Sequence, residues 1–217
     1  MLIMKDMAFS WEDRNPCLHN VNLHIHRGEQ WVMTGENGAG KSTLLRLAAG
    51  LLVPSQGTLY LNGTETTSMK AVDKAAQAGM LFQEVERQLF HSSVVEEIRF
   101  GQRLQGLDKE VIEQRTADAL ALCELASVAT KHPLDLHSGQ RRMVAVACLC
   151  AMEPPLLLLD EPSRDFDPYW LAVFERWLSH SRERGATVLA ISHDPEFTAR
   201  NFQKVIHVCN GTVNMVS

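Results

Sequence analysis

Residues Gly35-Glu36-Asn37-Gly38-Ala39-Gly40-Lys41-Ser42-Thr43 match the pattern G-x-x-x-x-G-K-[ST]. The run before them, Gln30–Thr34, reads as a buried strand. Ser42–Ala49, rich in Leu and Ala and closed by Gly50, reads as a short helix. This setting limits the fold more than any other feature, because the pattern has a physical purpose only where a strand turns directly into a helix. Gly38 and Gly40 let the backbone bend so that successive N–H groups converge on phosphate oxygens. The helix N-terminus adds partial positive charge, Lys41 reaches the β- and γ-phosphates, and the Ser42 hydroxyl is a small hard ligand suited to Mg²⁺. Gly35, Glu36, Asn37, Ala39 and Thr43 complete the turn that contacts nucleotide. In 217 residues of ordinary composition such a match arises by chance on the order of once in a hundred chains. A glycine-rich turn without a ligand is the weaker reading.

The rest of the chain supplies a sheet for the turn to belong to. Thr58–Leu61, followed by the turn pair Asn62-Gly63, reads as a strand, as do Gly79–Gln83, Leu156–Leu159 and Thr187–Ser192. Asp167 caps and Pro168 opens a helix carrying Leu171, Phe174 and Leu178 on one face, stopped by Gly185. Val205–Val216 reads as a hairpin turning at Asn210-Gly211. From about Glu84 to Leu136 the strand signals stop, and Ser93–Leu104 and Lys109–Leu125, the second capped by Asp108, read as amphipathic helices. The expected fold is α/β, a P-loop NTPase (RecA-like) core with a mostly parallel sheet, an N-terminal antiparallel β region and an inserted α-helical subdomain. Residues 1–217 form a single domain, with a nucleotide-binding core of 1–84 and 141–217 and a helical part of 85–140.

Composition removes several function classes. A formal net charge of −5 argues against a protein that coats nucleic acid. Cys17, Cys123, Cys148, Cys150 and Cys209 are odd in number and without framework spacing, which reads as buried thiols in a reducing compartment. His24 and His26 share one strand face, more in keeping with a solvated edge than a metal site. Met1–Ser10 lacks the charged-then-apolar layout of a signal peptide. The longest apolar run, Met143–Met152, is well short of the roughly 20 residues that a spanning helix needs.

A second site element stands at the end of Leu156-Leu157-Leu158-Leu159-Asp160-Glu161, an apolar strand closing on two carboxylates. In a parallel sheet such ends line the ligand crevice. Asp160 is placed to hold Mg²⁺, and Glu161 to polarise an attacking water as general base. A strand ending in a solvated acidic turn is the alternative, weakened by the phosphate loop. His193 follows another strand end and can contact a γ-phosphate. Gln83 can offer an amide oxygen to Mg²⁺ and to the water.

Taken as a set and in this order, the motifs resemble ABC-type ATPases over nearly the whole chain. Leu136-His137-Ser138-Gly139-Gln140 is similar to that family's LSGGQ signature. The resemblance implies a head-to-tail dimer with a second ATPase subunit, identical or different. Each ATP then lies between one subunit's phosphate loop and the other's signature, here Ser138, Gly139 and Gln140 acting in trans. It also implies that Trp11, a Trp where Tyr is usual, stacks on adenine. Leu81-Phe82-Gln83, Glu86-Arg87-Gln88-Leu89-Phe90 and Val94–Gly101 resemble the energy-coupling-factor group more narrowly. There the Gln83–Phe100 region receives transmembrane subunits, and the cargo is a vitamin or a nickel or cobalt ion. The resemblance therefore implies an ATPase with ATP and Mg²⁺, peripheral on the cytoplasmic membrane face, powering uptake through partner subunits and binding no nucleic acid. A conventional importer ATPase, a soluble non-transport ABC protein and a weakly hydrolysing regulatory module are the alternatives. Two departures bear on the choice. His137 and Ser138 replace the Ser and Gly of the signature, and Asp165 stands where the family usually has Gly. A bulkier imidazole, a more restricted backbone and an extra carboxylate would weaken the signature that this subunit offers a partner.

Overall fold

The computed structural model describes residues 1–11 and 17–216. The chain divides into two compact units, one of residues 1–80, 155–162 and 185–217, the other of 81–154 and 163–184. The second therefore takes in residues 141–154 and 163–184, which the sequence reading groups with the core.

In the first unit the strands are β1 (Leu2–Phe9), β2 (Leu18–Ile25), β3 (Gln30–Thr34), β4 (Gln56–Leu61), β5 (Thr64–Glu65), β6 (Ala78–Leu81), β7 (Leu156–Asp160), β8 (Thr187–Ile191), β9 (Lys204–Cys209) and β10 (Thr212–Val216). They form an antiparallel sheet in the order β2-β1-β4-β5 and a six-stranded sheet in the order β10-β9-β3-β8-β7-β6. In the larger sheet β3 pairs in parallel with β8 and β9, and β7 in parallel with β8, while β10 returns antiparallel along β9. The expected mixture of a mostly parallel core and an N-terminal antiparallel region is present. Every residue of β7 and β8 is buried, which is why both read as unbroken apolar runs instead of alternating ones. The register places Met33, Ile191 and Asp160 side by side, so three strands end level at one edge of the sheet.

Helix α1 (Lys41–Ala48) packs on β7 and β8 through Leu44, Leu45 and Leu47, all fully buried. Burial of each leucine contributes roughly 1.5–3 kcal/mol, ample to hold a helix too short to persist alone. A second short helix, α2 (Ala71–Gln77), precedes β6. The β9–β10 turn uses Asn210 at φ 47° and Gly211 at φ 76°, the double left-handed turn that an Asn-Gly pair favours.

The second unit is built on α3 (Val94–Leu104), α4 (Lys109–Leu122), α5 (Ser138–Met152) and α6 (Pro168–Glu183). Helix α5 packs against the other three and is buried on nearly all sides, consistent with its lack of a polar face. The Ser93 and Asp167 side chains cap α3 and α6, accepting from the Glu96 and Trp170 amides at 3.4 and 2.9 Å. Asp108, expected to cap α4, makes no such bond, and α4 ends at Leu122 instead of Leu125 because Glu124 turns to φ 55°. The buried face of α6 is Trp170, Val173, Phe174, Trp177 and Leu178, with Leu171 only partly covered at its margin. Helix α7 (Pro195–Asn201) returns to the first unit. Among the described residues no helix is long and apolar enough to cross a membrane.

Candidate nucleotide site

The phosphate-loop sequence forms the turn its glycines require. Gly35 adopts φ 139°, and a Cβ there would stand 2.1 Å from the Val208 carbonyl oxygen of β9. Gly40 caps α1 at φ 105°, where a Cβ would press on Leu18 at 2.8 Å. At Gly35 a larger residue would have to displace backbone, and at Gly40 it would have to adopt a strained left-handed φ. Gly38, at φ 84°, has open space around it. Lys41 is only 7% exposed, and its Nζ donates to the Gly35 and Glu36 carbonyls at 2.7 and 2.9 Å. The loop is thereby tied around a buried ammonium, whose charge those carbonyls solvate. Ser42 and Thr43 follow in the first turn of α1, and the Cys17 thiol lies 3.6 Å from the Thr43 hydroxyl.

The neighbouring strand ends bring the acidic pair to the same sheet edge. Asp160, 4% exposed, ends β7 level with Met33 and Ile191. Glu161 then leaves the strand at φ 50°, an unusual backbone state for a non-glycine residue and one that clusters at functional sites. Its amide is fixed by a bond to the Ile191 carbonyl at 3.0 Å. Its carboxylate accepts from the His193 amide at 3.3 Å and lies 3.5 Å from His193 Nε2. The loop, Asp160, Glu161 and His193 thus belong to one unit and one row of parallel strand ends.

Trp11 stands 46% exposed, its ring perpendicular to that of Phe9 with centroids 4.9 Å apart. Gln83 and the 136–140 segment belong to the helical unit. Gln83 lies beyond the end of β6, its carbonyl accepting from the buried Arg142 guanidinium at 3.1 Å. Glu97 organises the residues that follow it. Buried on α3, it accepts from the Phe90 and His91 amides at 2.8 and 2.7 Å. Sequence reading did not single it out, since Glu96 beside it is a half-exposed partner of Arg99 and Arg103 and the pair looks like one charged turn.

At the start of α5, His137 has extended backbone and its Nδ1 accepts from the Gln140 amide at 3.3 Å. The imidazole fills the capping role of a serine hydroxyl. Ser138 begins the helix and is absent from the positive-φ residues, so the more restricted backbone expected of a non-glycine residue there is accommodated without left-handed strain. Gly139 is buried, and a Cβ would lie 2.7 Å from Trp170. Asp165 sits at φ 64°, which explains why glycine suits the position and why Asp, a side chain tolerant of this region, can take it. Of the thiols expected to be buried, only Cys123 is; Cys17, Cys148 and Cys150 are partly exposed and Cys209 is exposed.

The family described as ABC transporter matches residues 18–164. An energy-coupling factor transporter ATP-binding protein, EcfA2 of Acetivibrio thermocellus, is 36% identical over 91% of this chain and 71% of its own length. Among solved structures, cbiO1 from Clostridium perfringens, part of the ABC transporter complex cbiONQ, superposes with a TM-score of 0.85 at 29% identity, covering 98% of this chain and 86% of that one. The ATP-binding cassette MJ0796, a dimer in a post-hydrolysis state bound to ADP and Pi, superposes with a TM-score of 0.87 at 26% identity over 100% and 98% of the two chains. The chain spans about a third of the length of other curated relatives, covering 34% of two archaeal proteins.

Proposed function

This chain belongs to the ABC transporter family of ATP-binding domains, and from that premise we propose that it hydrolyses ATP to power transport through separate transmembrane subunits. The observation that carries the reading is the row of strand ends. It sets a glycine-bent loop gripping a buried Lys41 on the same edge as Glu161, whose carboxylate is 3.5 Å from His193. Amides of residues 35–43 and the N-terminus of α1 receive the phosphates, and Lys41 exchanges its two carbonyl partners for β- and γ-phosphate oxygens. Glu161 orients and deprotonates the attacking water, while His193, held by Glu161, contacts the γ-phosphate. Trp11, nearly half exposed, stacks on adenine. Ser42 and Asp160 are a hydroxyl and a carboxylate, the oxygen donors that Mg²⁺ takes together with phosphate oxygens, and Gln83 is proposed to join them. Bound there, Mg²⁺ would neutralise charge building on the transferred phosphoryl group.

Ser138, Gly139 and Gln140 at the start of α5 act on the nucleotide of a second ATPase subunit, identical or different. The naming of EcfA2 and the cbiONQ assembly of cbiO1 support an energy-coupling-factor role at the cytoplasmic membrane face. The Gln83–Phe100 segment then meets the transmembrane partner, and the cargo is a vitamin or a nickel or cobalt ion. Phosphate release measured with the partner subunits present tests the reading. Glu161→Gln lowers turnover by roughly 100-fold or more while leaving ATP bound. Near-normal hydrolysis by that variant removes Glu161 from its role.

A further inference from the structure

Cys17, just before β2, is fixed beside the phosphate loop by its backbone. Its N–H donates to the Phe9 carbonyl at 2.8 Å. Its own carbonyl oxygen would stand 2.7 Å from a Cβ on Gly211 and 3.3 Å from one on Gly40, so the β9–β10 turn and the phosphate loop both close on Cys17 at glycines. His19 holds that turn in place, its amide donating to the Gly211 carbonyl at 2.9 Å and its Nε2 to the Asn210 carbonyl at 3.0 Å. The partly buried Cys17 S–H donates to the Thr43 hydroxyl oxygen at 3.6 Å. The two residues are 26 positions apart, which is why the sequence shows Cys17 only as one of several thiols.

We propose that Cys17 is a positioning residue for the nucleotide: its thiol orients the Thr43 hydroxyl so that the hydroxyl proton goes to a phosphate oxygen of bound ATP. The proposal rests on the reading of residues 35–43 as the nucleotide loop. Thr43 lies in the first turn of α1, just after Lys41 and Ser42. Helical side chains lean toward the N-terminus of their helix, here the end that receives phosphate.

A threonine on a helix divides between two side-chain rotamers, because its hydroxyl can turn to more than one partner. A thiol donating to Oγ1 favours the rotamer that points at Cys17. A hydroxyl has one proton and two lone pairs. With one lone pair taken by the S–H, the O–H is left to donate, and the oxygens of an ionised phosphate are acceptors only. Each bond in such a chain strengthens the next. Thr43 then adds a neutral donor to the buried Lys41 ammonium and the loop amides. A thiol is a weak donor, so its removal lowers affinity without abolishing binding.

The test is calorimetric titration of MgATP into wild type, Cys17→Ala, Cys17→Val and Cys17→Ser, each also in a Thr43→Val background, with melting curves to show that each is folded. Cys17→Ala and Cys17→Val are expected to raise Kd by about three- to tenfold, the span of one neutral hydrogen bond, although valine fills the space of the thiol. Cys17→Ser keeps a donor and stays within about twofold of wild type. In the Thr43→Val background the Cys17 substitutions change Kd by less than about twofold, because the group through which the thiol acts is gone. If one apolar variant fails to fold, the other decides, and if Thr43→Val binds too weakly to titrate, the contrast of valine with serine decides. Wild-type affinity in Cys17→Val would reduce Cys17 to packing, and an undiminished loss in the Thr43→Val background would show that it acts elsewhere. Either result overturns the proposal and leaves the nucleotide reading intact. Wild type without affinity for MgATP would overturn both.

Discussion

His137 shows how a single side chain can depart from a motif and keep its local structure. Its Nδ1 accepts the Gln140 amide, which requires the neutral ring with its proton on Nε2. Truncation in His137→Ala should cost about 0.5–2 kcal/mol of stability, the range for loss of a helix cap, read as a shift in denaturation midpoint. His137→Ser should stay within a few tenths of wild type, because a hydroxyl can take the same bond. An equal loss in both variants would mean that the imidazole acts through packing on Trp170, whose ring lies 5.7 Å away, and not as a cap. The bulk facing a partner's phosphate is a separate matter. The double reversion His137→Ser with Ser138→Gly is expected to raise ATP turnover several-fold with the partner subunits present. Unchanged turnover would show that the altered signature is fully competent. At this scale the sequence marks which residues differ but not what they touch, so the cap at 137, the Trp170 wall behind Gly139 and the left-handed backbone at 165 are visible only in the fold.

Among the elements, legibility follows the strength of the local signal. Leu156–Asp160 and Thr187–Ile191 are readable because a strand buried on both faces must be apolar throughout. The α6 start is readable because Asp167 precedes a proline that fits the first helical turn. Asp108 carries the same kind of signal at α4, yet its carboxylate makes no capping bond. Preference statistics name residues able to cap and cannot tell which rotamer the surroundings select. The two sites therefore separate by substitution. Asp167→Ala should lose about 1 kcal/mol, whereas Asp108→Ala should change stability by less than about 0.5 kcal/mol. Equal losses in thermal or denaturant melts would contradict the geometry. Glu97 was illegible for a related reason. Its carboxylate is held by the Phe90 and His91 amides, contacts that helical periodicity does not encode.

For the whole molecule, the carboxylate of Glu29, paired with Lys204 of β9, links folding to acid pH. Burial opposes the charge on Glu29, but Lys204 at 2.6 Å, the Trp31 indole N–H at 3.0 Å and the His26 amide at 2.8 Å hold it at about 2. A carboxyl lower in the folded state than in the unfolded chain gives stability that is present above its ordinary value near 4.5 and is lost as pH falls toward 2. Glu29→Gln should therefore be less stable than wild type by about 1–3 kcal/mol near neutral pH, with the gap closing through that acid window. Melting curves that stay parallel down to pH 3 would contradict this. The larger site was legible in outline because its phosphate loop, acidic strand end and histidine each sit beside a strand, and a parallel sheet gathers strand ends along one edge. Equilibrium ATP binding by calorimetry tests the central claim most directly, with and without Mg²⁺, on wild type and on Lys41→Ala shown to be folded. Affinity that rises with Mg²⁺ in wild type and falls at least about tenfold in the variant, as loss of a charged phosphate contact requires, is the predicted result. Binding indifferent to both Mg²⁺ and Lys41 would contradict it.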